Sequence, residues 1–75
     1  MASITDEEKR FIKGVFIHYN GEYTGQEILG IVNNKRGNPA NHINIGRVTE
    51  VKGNDSIIPM TKDEVDEWIK KYSWF

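Results

Sequence analysis

Apolar residues fall into four groups along the chain, and the clearest ones recur at the three-and-four spacing of a helix with one buried face. In the first group, Phe11, Ile12, Val15, Phe16 and Tyr19 share one side of a helical wheel, with Lys9, Arg10 and Lys13 left toward water. Thr5-Asp6-Glu7-Glu8 precedes it and fits a capping box, in which the Thr5 hydroxyl accepts from the Glu8 N–H while the Glu8 carboxylate reaches back. Asn20-Gly21 tolerates positive φ and closes the segment, so the pattern predicts a helix over about 6–19. Thr24-Gly25-Gln26-Glu27 is a second capping box. Ile28, Leu29 and Val32 then form a buried stripe with Ile31 on its margin, and Gly37 is an αL terminator. That predicts a helix over about 25–36, joined to the first by a link short enough for steep side-by-side packing. Phe11, Val15 and Phe16 are expected to meet Ile28, Leu29 and Val32. Thr61-Lys62-Asp63-Glu64 is a third capping box before Val65, Trp68, Ile69 and Tyr72, predicting a helix over about 62–72. Lys70 and Lys71 complement its C-terminal dipole, and Trp68 and Tyr72 are assigned to the core.

The segment between these helices admits two readings. Gly37-Asn38-Pro39-Ala40-Asn41 is a breaker cluster, and beyond it Ile43, Val48 and Val51 are spaced like one turn residue and two buried residues of a short helix. On this reading Asn44 caps the helix, Ile45, Gly46, Arg47, Thr49 and Glu50 face outward, and Gly53 ends it. The competing reading takes Arg47-Val48-Thr49-Glu50-Val51 as a strand. It turns at Lys52-Gly53-Asn54-Asp55 and pairs with Ser56-Ile57-Ile58, making a winged β-hairpin at about 47–58. Gly46 favours the hairpin, because glycine inside a helix costs about 1 kcal/mol against alanine. The expected fold is mainly α: one domain over residues 1–75, three to four helices with a helix-turn-helix, and the winged hairpin as its alternative.

Composition narrows the function classes. Seventy-five residues leave room for one core. There is no cysteine, so disulfides and thiolate zinc sites are excluded. No apolar run approaches the ~18 residues of a membrane span and no signal-peptide pattern opens the chain, so a cytoplasmic protein without membrane contact is expected. His18 and His42 lack metal-ligand spacing; His18 reads as a surface histidine beside a negative helix end. Asp63, Glu64, Asp66 and Glu67 read as a solvated helix start. The glycines match neither a phosphate loop nor a dinucleotide fingerprint. With no nucleophile–base pair, no catalytic residue, metal, cofactor or small-molecule substrate is expected.

Charge is distributed unevenly. Between Asn33 and Gly53, Lys35, Arg36, Arg47 and Lys52 are opposed only by Glu50, although the net charge of the chain is −1. A helix that reads DNA needs an apolar inner face, short or hydrogen-bonding outer residues, and flanking cations for phosphates. Arg47 is the outward residue able to address guanine O6 and N7, Asn44 fits an adenine edge or phosphate, and Glu50 fits cytosine. Thr49 lies on the same outer face. Lys35, Arg36 and Lys52 suit backbone contact, His42 can donate to a phosphate, and Thr24 opens a helix whose N–H groups can do the same. The plain alternative for the whole set is a solvated surface on a small helical domain.

Thr5-Asp6-Glu7-Glu8, then Tyr23-Thr24-Gly25-Gln26-Glu27-Ile28, then Ile43-Asn44-Ile45-Gly46-Arg47-Val48 resemble the helix-turn-helix segments of phage homing endonucleases and small phage regulators. The resemblance spans about two-thirds of the chain, with a longer link from Asn33 to His42. It implies double-stranded DNA binding of a regulatory kind, without cleavage. A second reading, from another class, is a protein-interaction module. Trp74 and Phe75 follow the last helix and would anchor a host factor or a second copy of the chain.

Overall fold

Three Thr-x-x-Glu segments open three of the four helices in the computed structural model, which describes residues 3–73. The helices are α1 (Asp6–His18), α2 (Gly25–Arg36), α3 (Ile45–Lys52) and α4 (Lys62–Tyr72), with a 3-10 turn at Pro39–Asn41. Thr5, Thr24 and Thr61 each accept from the N–H three residues on, and Glu8, Glu27 and Glu64 each reach back to the cap. The boundaries therefore fall where local capping chemistry places them. Gly37, at φ 77°, takes the positive-φ position that ends α2, although its ψ of −69° lies outside the αL region expected.

The segment 45–52 is helical, and among the described residues there is no strand, so the winged hairpin at 47–58 is not formed. The reason is burial. Val48 and Val51 lie one turn apart and both reach the core, which outweighs the β-preference of Val48-Thr49-Glu50-Val51. The would-be return strand is a turn instead, where the Asn54 side chain accepts from the Ser56 N–H at 3.0 Å and hydroxyl at 2.6 Å.

The core comprises Phe11, Ile12, Val15, Ile28, Ile31, Val32, Ile43, Val48, Val51, Met60 and Val65. Two expectations need correction. Ile31 is fully buried whereas Leu29 is only partly so, a rotation of the α2 stripe toward the spacing 28, 31, 32. The direct packing of α1 on α2 is also slight. α3 and α4 each lie against both, so the first two helices are bridged rather than paired. The α4 aromatics supply part of the bridge, with Trp68 stacked on Phe11 at 4.7 Å between centroids and Tyr72 edge-on to Trp68. Both are partly buried and pack on the core.

Residues 53–61 cross α1 as a strap. Met60 donates its N–H to Arg10 O at 3.0 Å, the Arg10 Nε donates to Ile58 O at 3.2 Å, and a His18 ring nitrogen lies 3.0 Å from Met60 O. His18, which the sequence assigns only to its own helix end, thus also holds the strap. The close approach requires glycine: a Cβ at Gly14 would sit 2.7 Å from Val65 Cγ2 and 3.1 Å from Met60 O. Tyr19 donates its hydroxyl to Asp66, tying the end of α1 to α4.

Candidate nucleic-acid interface

Three fixed points set the position of α3. Before it, the Asn33 side chain imitates a strand partner: its Oδ1 accepts from the Ile43 N–H at 2.8 Å and its Nδ2 donates to Ile43 O at 3.1 Å. Beneath it, Val48 and Val51 are buried. At its end, the Lys13 Nζ donates to Lys52 O at 3.0 Å, placing a cation where the helix dipole is negative. The helical wheel leaves Lys13 toward water, yet its side chain is only 12% exposed.

The outward side of α3 carries Ile45, Gly46, Thr49, Glu50 and Lys52, all exposed, and the half-buried Arg47. Arg47 Nη1 donates to Glu50 Oε2 at 3.1 Å, and Thr49 donates its hydroxyl to Ile45 O at 3.2 Å. Lys52 Nζ lies 5.1 Å from the Phe16 ring centroid. Asn44 precedes the helix with extended backbone and makes no side-chain cap bond, unlike the three threonine caps. His42 is exposed beside a groove of about 420 Å³ that also involves Leu29, Asn33 and Asn34. Asn34 donates to Tyr72 O, so the end of α4 is fastened at that groove. Trp74 and Phe75, the candidate protein-contact residues, lie outside the described residues.

Three other candidates for DNA contact, Lys35, Arg36 and Thr24, are engaged within the protein. Glu8 is 1% exposed. Arg36 grips it twice, Nη2 to Oε1 at 2.5 Å and Nε to Oε2 at 2.9 Å, while Lys35 Nζ stands 3.3 Å from Oε2. Arg36 also donates to Asn41 O at 2.8 Å and Ser3 O at 2.7 Å. Lys35 Nζ lies over the Trp68 ring as well, 5.2 Å from its centroid. Burial pushes the Glu8 carboxyl up. The Arg36 hydrogen bonds, the Thr5 N–H and the charges of Lys35 and Arg36 outweigh that and hold it below its ordinary value. Both cations thus neutralise an interior charge. Thr24 is likewise committed: its hydroxyl accepts from the Glu27 N–H at 3.1 Å and its own N–H goes to Glu27 Oε1 at 2.9 Å.

Glu8 is the residue that sequence reasoning placed only in part. Its capping role is present, but its burial against the end of α2 has no local signal, since Glu27 and Glu64 occupy the same place in the same motif and are more exposed. Among the described residues no group of three or more His, Asp or Glu is placed to hold a metal ion, and no helix is long and apolar enough to cross a membrane. Comparison with known protein families, with curated proteins and with solved structures gives no match.

Proposed function

We propose that this chain is a DNA-binding module that presents α3 to the major groove of a duplex. Asn44, Arg47 and Thr49 address base edges, and His42 and Lys52 address phosphates. The observation that carries this reading is the division of α3 into two sides. Val48 and Val51 hold it to the core, while its outer side carries short or hydrogen-bonding residues and starts from an asparagine whose side chain makes no cap bond. Ile45, 39% exposed at the start of that side, suits the methyl group of a thymine. Lys35 and Arg36 are left out of the contact set because Glu8 holds them.

With Lys52 as the phosphate-contacting cation of α3, the salt dependence should be shallow, a slope of about −1 in log affinity against log salt. The test is a backbone amide titration with a mixed-sequence duplex at low and moderate salt. Shifts at residues 42–52 that fade with salt, and that weaken in Arg47→Ala but persist in folded Lys35→Ala, support the reading. An absence of shifts at low salt refutes it.

A further inference from the structure

The outer side of α3 carries a carboxylate, which a surface built only to grip phosphate would not. Glu50 lies one turn from Arg47, its side chain is 68% exposed, and the two are joined at 3.1 Å. Near the polyanion of DNA that carboxylate is repelled, and it holds the very guanidinium that would otherwise reach a phosphate.

Resting on the DNA-binding reading above, we propose that Glu50 is the specificity-determining residue of α3. Paired with Arg47, it makes the face accept a guanine–cytosine edge and reject phosphate backbone alone. The two surfaces leave the pair with different partners. When Arg47 turns to a phosphate, Glu50 loses its donor and is left as a lone carboxylate beside the duplex. When the helix meets a suitable major-groove edge, guanine O6 and N7 accept from Arg47, and a cytosine N4 amino group donates to Glu50. Both members of the pair are then replaced, and neither charge is stranded. Side chains three residues apart on a helix are neighbours about 5–6 Å apart at Cβ, so the pair can address the same or adjacent base pairs. The repulsive element is what separates the right duplex from the wrong one.

The experiment is selection from a random duplex library by the wild type, Glu50→Ala and Glu50→Gln. Binding of each to the selected duplex and to a mixed-sequence duplex is then measured at two salt concentrations, with circular dichroism as the folding control. The exposed position of Glu50 leaves the fold intact in either variant. The wild type should enrich a site containing a G·C pair. Loss of the carboxylate should tighten mixed-sequence binding and narrow the ratio between the two duplexes by about tenfold, within the discrimination of one base contact. The salt slope should steepen as Arg47 turns from Glu50 to phosphate. Enrichment of the same site with an unchanged ratio in both variants overturns the role of Glu50 while the DNA-binding reading stands. Uniform wild-type binding without enrichment does the same. No wild-type binding to any duplex at low salt overturns both.

Discussion

Glu8→Gln keeps the size and shape of a buried side chain and removes its charge. In the native protein the carboxylate receives two bonds from Arg36, one from Lys35 and one from the Thr5 N–H. Glutamine retains one accepting oxygen, but its amide nitrogen is a donor and would face another donor. Lys35, with 24% of its side chain exposed, can turn to water; Arg36, at 11%, cannot without releasing Ser3 and Asn41. Breaking a buried pair in this way costs about 3–5 kcal/mol, against a total of about 4–11 kcal/mol for a domain of this length. The variant should therefore sit close to the unfolding threshold. Urea denaturation followed by circular dichroism would measure the loss, and the same titration repeated at lower pH checks its origin. The Glu8 pKa is depressed in the folded state, so its contribution is fully present above the ordinary value of 4.5 and is lost as pH falls through the folded value. The gap between wild type and variant should thus shrink in acid. A loss under about 1 kcal/mol at neutral pH, as for a surface pair, or a gap that does not change in acid, would refute the reasoning. Glu64→Gln, the same motif position at an exposed helix start, should change stability far less.

Three further substitutions test the packing. Gly14→Ala should destabilise by about 1–3 kcal/mol despite alanine's better helix propensity, because the added methyl meets Val65 and the Met60 backbone; a rise in melting temperature would contradict this. Gly46→Ala should stabilise by up to about 1 kcal/mol, since its nearest obstacle is the Asn44 side chain, which can move, and thermal unfolding reads the change directly. Lys13→Met should loosen the end of α3 by removing the donor to Lys52 O. Faster amide exchange is expected at Gly53 and Asn54, whose N–H groups bond to Thr49 and Val51, with little change in α2.

Helix limits were legible in the sequence because the signals that set them are local. Thr-x-x-Glu marks a start and Gly37 or Gly53 marks an end whatever lies across the core. Partners were less legible. Ile31 and Leu29 are both apolar, and only the approach of α3 and α4 decides which of them is covered. Lys35 and Arg36 read as surface cations because the carboxylate that takes them lies 27 and 28 residues away, inside a motif that already had an explanation. For the same reason the candidate contact residues are confined to α3 and the residues just before it: His42, Asn44, Arg47, Thr49 and Lys52. The helix–hairpin ambiguity at 47–58 arose from β-branched residues, whose preference follows the surface they pack on rather than their backbone.

The grip of Asn33 on Ile43 has a consequence for how this protein can change. Because one amide side chain fixes the chain just before α3, the intervening stretch from Gly37 to His42 is a loop pinned at its base. Lengthening such a loop adds closure entropy only logarithmically, about 0.6 kcal/mol per doubling. Insertions beyond Gly37, whose φ of 77° ends α2, would leave α3 where it is, whereas Asn33→Leu would remove the first of its three fixed points and leave Val48, Val51 and Lys13 to hold it. The turn is thereby open to variation during evolution or in a designed library, while the orientation of the helix behind it is inherited unchanged.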